Sequence, residues 1–438
     1  MIHVIRVVGT EARDWRGEAV LHDIQNTLHI TNVTGVKTTT VYRLEGITYG
    51  EAQAFAERVL AEDINQTFTV NQPLLREGCT IEVAYKPGVM NPEAASIVKA
   101  ARDCGLRHII AADSSIEYTF EGHPTEAEVQ TILDRLLVNT IVQRVVCEEP
   151  KTLHITGEAS GINIIPIRGM NDDELMALSK DKLFLNLEEM GIIRAYFQTI
   201  GRDPTDGEVE ILAQTWSEHC GHKTFNARLI VNGVEKPPLM ERLKAVSQRF
   251  PTLVVSSFSD NAGVIAFYDD LVICGKVETH NSPSAAEPYG GAATGSGGVF
   301  RDIIGTGKGA RVVLSTDVFC LGHWNLPAKK IPPGCLDPSY LLHHVVRGVK
   351  DYGNRMGIPT AGGSLHFHPD FRAKPTVIVG AYGIMPETAA EKGVPQPGDV
   401  IIVVGGRTGR DGIHGATFSS AEMTEHTATV NATAVQIG

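Results

Sequence analysis

The stretch KVETHNSPSAAEPYGGAATGSGGVFRD, Lys276 to Asp302, decides how the later part of this chain reads. It opens as a strand, where residues i, i+2 and i+4 share a face. Lys276, Glu278 and His280 therefore point one way, and Val277 and Thr279 the other. At about 3.3 Å per residue the three polar groups span about 13 Å. A cation, a carboxylate and an imidazole so aligned suit a charged ligand; a solvated strand face with a salt bridge fits the triplet as well. The chain then reads as a loop, with Gly290, Gly291, Gly295, Gly297 and Gly298, before closing on Arg301 and Asp302. Bare backbone lets N–H groups approach a phosphate, although glycine richness alone also describes a loose loop. The specific feature is its place between Glu278 and Asp302. Mg²⁺ is usually held by one or two carboxylates plus substrate phosphates, and an arginine such as Arg301 is a planar anion clamp. Together these read as Mg–nucleotide chemistry.

Other motifs add less. GTGKGA at 305–310 matches G-x-G-x-x-[GA] but precedes a strand pattern, so the dinucleotide reading lacks its structural context. The histidines of HCGH (219–222), LLHHVV (343–344) and HFHP (366–368) lack zinc-site spacing. Nothing supports Cys220 as a thiol nucleophile. GGRTGRDGIHGATFSS at 405–420, with Arg407, Arg410, Asp411 and His414, is either a strand-to-helix turn or an anion-binding edge of the same site.

Around this stretch the pattern is α/β. TLVVSSF, NAGVIAFYDDLVICGKVE, ARVVLSTDVFCLG and PTVIVGAYGIM read as strands, and LDPSYLLHHVVRGVKDYGNRMG as a helix with a terminal glycine. A fresh strand is expected from Asp399, and so little chain follows it that an incomplete polypeptide, or one completed by a partner, is expected. Upstream, Asn186 with Glu189 and Thr205 with Glu208 mark two helix starts. Met190, Ile193, Phe197 and Ile200 form the stripe of the first helix; Val209, Leu212 and Trp216 form that of the second, which is expected to end near His219–Gly221. Within the first 150 residues Tyr42, Glu45 and Gly46 return as Tyr118, Glu121 and Gly122, 76 positions on. The repeat predicts a duplicated βαββαβ sheet domain with a structural or docking role.

Composition sets the outer bounds. The 438 residues suffice for several domains, and a net charge of −12 argues against nucleic-acid or membrane-surface partners. No apolar run reaches membrane-spanning length. The seven cysteines are odd in number and form no C-x-x-C, which fits free thiols in a reducing cytoplasm.

TWSEHCGHKTF, the 276–302 stretch and GGRTGRDGIHGATF…AVQIG, in that order, resemble phosphoribosylformylglycinamidine synthase (FGAM synthase), a ligase of purine biosynthesis. The resemblance implies an α+β and α/β multidomain chain. Residues 1–150 would be a duplicated domain like two copies of the small companion subunit. Residues 151–245 would be a helical linker, 246–386 the N-terminal domain related to aminoimidazole ribonucleotide synthetase, and 387–438 the start of its C-terminal domain. It implies ATP-dependent amidation of formylglycinamide ribonucleotide through an iminophosphate, with glutamine-derived ammonia. ATP and Mg²⁺ are the implied cofactors; a glutaminase and the remaining half of the synthetase are the implied partners, in the cytoplasm. Glu278 and Asp302 match the magnesium ligands, Lys276 and His222 the ATP contacts, and His219 and His280 the two active-site histidines. Thr279, His280, Asn281, Ser282, Arg301 and Gln436 match substrate positions. The family usually reads THNHP where this chain has THNSP, so Ser282 replaces a histidine and cannot become cationic. Without the second half the isolated chain is expected to lack synthase activity. Competing expectations are a non-catalytic assembly subunit of the same enzyme and another ATP-using relative of aminoimidazole ribonucleotide synthetase.

Overall fold

The computed structural model describes residues 1–404 apart from 11–12, 75, 90, 92, 155–160 and 181. The first unit is a six-stranded antiparallel sheet. In chain order it comprises β1 (Ile2–Gly9), α1 (Trp15–Asn26), β2 (Val33–Glu45), α2 (Tyr49–Phe55), β3 (Gln66–Val70), β4 (Cys79–Tyr85), α3 (Ala94–Asp103), β5 (Ala111–Gly122), α4 (Glu126–Ile132) and β6 (Gln143–Val145). The strand order is β3-β1-β2-β5-β4-β6. In the central ladder Thr38 faces Tyr118 and Tyr42 faces Ser114, so a 76-position step converts one pair into the other. Helices α2 and α4 both start at a Thr–Glu capping box (Thr48 with Glu51, Thr125 with Glu128), and both run on into a π-helical turn. The βαββαβ expectation needs correction: each half is βαβαβ. Residues 36–45 and 111–121 contain neither glycine nor proline, so one long strand runs where two were expected. Arg43, 1% exposed, crosses the sheet to donate to Glu82 (Nη1–Oε1 2.5 Å) and Glu149 (Nε–Oε2 2.7 Å). Such pairing removes the cost of a lone buried charge.

The connecting segment holds α5 (Asp172–Ser179), α6 (Leu187–Ile200), α7 (Asp206–Trp216), α8 (Glu218–Gly221), α9 (Lys223–Asn226), the hairpin β7 (Leu229–Val231) and β8 (Val234–Lys236), and α10 (Leu239–Gln248). α6 and α7 begin at the expected capping boxes, and Met190, Ile193, Phe197 and Val209 share one small core. Ile200 falls outside it, 41% exposed at the helix end. α7 stops at Trp216, earlier than expected. Ser217 turns extended and its Oγ accepts the Cys220 N–H at 3.2 Å, which restarts the chain as α8.

A second sheet follows, made of β9 (Val254–Ser256), β10 (Gly263–Ala266), β11 (Leu271–Thr279), β12 (Arg311–Leu321), β13 (Thr360–Phe367) and β14 (Thr376–Pro386). Its order is β13-β12-β14-β11-β10-β9, and only the β12–β13 pair is parallel. β13, TAGGSLHF, has small residues and an exposed surface, and carries no pattern that marks it in advance. The expected strand from Asp399 is not formed over residues 399–404. Val400 to Val404 stay at least 77% exposed with no ladder partner among the described residues, and an extended segment becomes a strand only in a ladder. The rest of that motif, residues 405–438, lies outside the described residues.

The largest correction concerns the glycine-rich stretch. It is no loop. After α11 (Asn281–Ala286) it forms α12 (Pro288–Ile304), which packs beside α13 (Pro338–Met356). Glycine weakens an isolated helix by about 1 kcal/mol against alanine, so tertiary packing must compensate. A Cβ added at Gly291 would lie 2.6 Å from the Ser284 nitrogen, and one at Gly295 3.2 Å from the His280 Cβ. The bare face of α12 thus lies directly on α11 and the end of β11. Opposite it, Gly348 of α13 admits the Tyr289 carbonyl, which would be 2.2 Å from a Cβ there.

The two units share a core. Ile141 and Val142, just before β6, pack in one cluster with Ala286, Val299, Phe300 and Tyr340. Asn139 donates to the Ala286 carbonyl at 2.8 Å, and Arg135 pairs with Asp337 at 2.8 Å. Gly291→Ala forces Cβ into the Ser284 backbone, and overpacking of this kind costs about 1–3 kcal/mol. Urea unfolding is expected to show that loss, and an unchanged midpoint would contradict the close approach described.

Candidate active site

Helix α12 and strand β11 assemble a charged cluster from residues far apart in sequence. Val272 and Cys274 of β11 are buried, and the same strand face continues through Lys276 and Glu278 as the sheet reaches solvent. On the opposite face Val277 is 66% exposed. The Lys276 Nζ sits 2.8 Å from Asp302 Oδ2 on α12 and 4.0 Å from Glu278 Oε2. Two carboxylates converge on one ammonium, so a cation is favoured at this point. A Cβ at Gly298 would lie 3.4 Å from Glu278 Oε2, an ordinary contact distance, so the carboxylate packs directly against the helix at this point.

At the end of β11 the chain is clamped to β14. The His280 N–H donates to the Val377 carbonyl at 2.8 Å, and Asn281 Oδ1 accepts the Val377 N–H at 2.9 Å. The His280 ring lies under α12, and its Nδ1 has no hydrogen-bond partner. Burial, reinforced by the nearby His219, pushes its pKa down to about 4, so the imidazole is neutral at pH 7. Ser282 is 1% exposed with Oγ unpartnered, and Ser284 Oγ donates to the His280 carbonyl at 2.6 Å.

These groups open on a cleft of about 1980 Å³. His219, Glu278, Thr279, His280, Asn281, Ser282 and Arg301 all line it, so the structure brings together most of the residues singled out from sequence. Lys276 and Asp302 flank it through Glu278. His219 comes from α8, and its Nδ1 is 3.6 Å from Cys220 Sγ. His222 is not among the lining residues; it joins α8 to α9 in a left-handed conformation, φ 47°, and is exposed. Gln436 lies outside the described residues.

Sequence reasoning missed the opposite wall. Tyr42, Tyr85 and Tyr118 of the first sheet face Tyr340, His344 and Arg347 of α13 across the same cleft. The α13 trio falls at i, i+4 and i+7, a helical-face signal that was available. Glu287 is buried between the walls. It caps α12 by accepting the Gly290 N–H, and burial raises its pKa to about 7. The His344 ring stacks on Tyr340 with centroids 3.8 Å apart, and its Nδ1 pairs with the Tyr340 carbonyl at 2.9 Å.

Parts of the chain are similar to known proteins. Residues 259–385 match the N-terminal domain of AIR synthase related proteins. Residues 170–223 match the formylglycinamide ribonucleotide amidotransferase linker domain, and residues 78–149 a family described as phosphoribosylformylglycinamidine (FGAM) synthase. Over about 60% of its length the chain is similar to phosphoribosylformylglycinamidine synthase subunits. It is 39% identical to the synthase subunit PurL of Thermoplasma volcanium over 59% of this chain and 32% of that protein. It is 40% identical to PurL of Thermoplasma acidophilum over 63% of this chain and 34% of that protein. A solved structure, "T. maritima PurL complexed with FGAR", is 33% identical with a TM-score of 0.39, covering 54% of this chain and 32% of that one. The chain therefore spans about a third of the length of the relatives it matches. Among the described residues no helix is long and apolar enough to cross a membrane.

Burial lowers the His344 pKa from 6.5 to about 4. Between those values the unfolded chain binds more protons, so this group's contribution to stability rises with pH and is lost as pH falls through 4. His344→Phe keeps the aromatic stack and cannot titrate. Relative to wild type it is expected to gain stability as pH falls from 6.5 to 4. Urea unfolding across that range measures the difference, because groups common to both proteins cancel; a pH-independent difference would contradict the buried neutral ring.

Proposed function

We propose that the chain supplies the nucleotide and substrate site of an enzyme that converts formylglycinamide ribonucleotide, ATP and ammonia into formylglycinamidine ribonucleotide, ADP and phosphate. The observation that carries this reading is the Lys276–Glu278–Asp302 cluster beside a neutral, buried His280 on one cleft wall. An amide oxygen is a poor leaving group. Its attack on the γ-phosphorus of ATP expels ADP and gives an iminophosphate; ammonia then adds to the carbon, and phosphate departs with the oxygen. Glu278 and Asp302 fit a hard cation, which needs few carboxylates when phosphate oxygens complete its shell. Mg²⁺ bound there supplies charge neutralisation at the phosphates. Lys276 is the ATP contact of this cluster, and His222 is a second contact by motif. His280 accepts a proton as ammonia adds, a role that a neutral imidazole fills and an imidazolium does not. His219 lines the same cleft near it. Thr279, Asn281, Ser282, Arg301 and Gln436 hold the ribonucleotide.

The domain division at 1–150, 151–245, 246–386 and 387–438 belongs to the same reading. The match of residues 78–149 and the mirrored central ladder support a first unit built from two copies of a small companion subunit. A glutaminase supplies the ammonia, and a second synthetase half completes the enzyme, in the cytoplasm.

Calorimetric titration with AMPPNP is expected to show Mg²⁺-dependent binding. Glu278→Gln with Asp302→Asn is expected to weaken it about tenfold or more, the scale of lost charge-assisted contacts, with far-UV circular dichroism unchanged. Binding that ignores both Mg²⁺ and the double substitution would remove the basis of this reading.

A further inference from the structure

Lys374 stands on the wall of the same cleft, in the turn between β13 and β14. Pro375 follows it, and the His280–Val377 and Asn281–Val377 hydrogen bonds, at 2.8 and 2.9 Å, fix the strand that the turn feeds. Lys374 is half-buried and makes no hydrogen bond or ion pair among the described residues. Burial holds its pKa below the ordinary lysine value. An ammonium withdrawn from water without a counter-ion carries a desolvation cost that a bound anion offsets.

A second group points the same way. Ser282 lines the cleft next to Asn281, its hydroxyl is buried, and no group pairs with it. A buried hydroxyl left unpaired is costly unless a ligand satisfies it. The wider lining is rich in cations: Arg16, Arg301, Arg347, Lys350 and Arg355 join Lys374, in a chain whose net charge is −12. Four acids also line it. Glu287 caps α12, and Glu278 lies in the Lys276 cluster; Asp23 and Glu93 lie toward the first sheet. Lys350 and Arg347 are each within 3.6 Å of Asp351, whereas Lys374 has no such neighbour.

We propose that Lys374 and Ser282 form a phosphate subsite beside His280, with the ammonium pairing the dianion and the hydroxyl donating to it. The proposal rests on the reading of the cleft given above and adds a residue that no motif assigned. The chemistry is shared by two sources, the 5′-phosphate of the ribonucleotide and the phosphoryl group transferred from ATP.

Amine-acetylation footprinting of the 438-residue chain separates them. Labelling of Lys374 and Lys276 is followed by mass spectrometry with inorganic phosphate, formylglycinamide ribonucleotide or Mg²⁺–AMPPNP. Slower labelling of Lys374 with phosphate and with the ribonucleotide assigns the 5′-phosphate; slowing with AMPPNP and not the ribonucleotide assigns the transferred phosphoryl group. Lys374→Met is expected to weaken the protecting ligand about tenfold or more, as for a lost hydrogen bond to a charged group, and Lys374→Arg to restore most of it. Unchanged labelling of Lys374 with all three ligands, while Mg²⁺–AMPPNP slows Lys276, overturns the subsite and leaves the function standing. Unchanged labelling of both lysines overturns both readings.

Discussion

The site depends on a helix that lacks side chains where it meets its neighbours. Gly291 and Gly295 bring the axis of α12 against α11 and the end of β11, closer than a Cβ allows at Gly291 and tighter than most Cβ contacts at Gly295. That approach brings Asp302, near the C-terminal end of α12, to the lysine of β11 and lays the helix over His280. The intrinsic cost of so many glycines in a helix is offset by burial on both sides, with Val299, Phe300 and Ile303 in the shared core. Glu287 at one end secures the helix by accepting the Gly290 N–H.

Two electrostatic regimes then sit side by side. Around Lys276 the opposite charges satisfy one another at the edge of solvent. One turn of chain further on, His280 and Ser282 are withdrawn from water and left with unpaired atoms. The first region suits a highly charged ligand, the second a neutral reacting group. Across the cleft, Glu287 and His344 are both buried, and burial favours the uncharged form of each.

What was legible in the sequence was whatever local chemistry decides. The capping boxes at Asn186 and Thr205 start helices where expected, and the alternating runs at 271–279 and 376–386 form strands. The charged face of β11 was readable from its two-residue period, and Asp302 from its place after the glycines. The state of the glycines themselves was not. Locally they argue for a loop, and only the backbone of Ser284 and the ring of Tyr352 turn them into helix contacts. The end of α7 was misplaced because Ser217 caps the next helix instead of continuing the first. Tyr42, Tyr85 and Tyr118 of the cleft escaped notice because they come from a unit without a catalytic pattern, joined to the site by folding alone. His222 remains a motif match that the cleft does not include.

The joint between the units has a consequence for how such a protein is divided among genes. Ile141 and Val142 lie in the core of the second sheet, and Asn139 satisfies the Ala286 carbonyl just before Glu287 and α12. Within one chain these contacts add to folding stability. Severed between the units, the same contacts become an interface whose occupancy depends on concentration, because the tether no longer supplies a high effective molarity. Assembly of the cleft would then be an association equilibrium, and the abundance of the smaller piece would set how much of the larger carries a complete cleft.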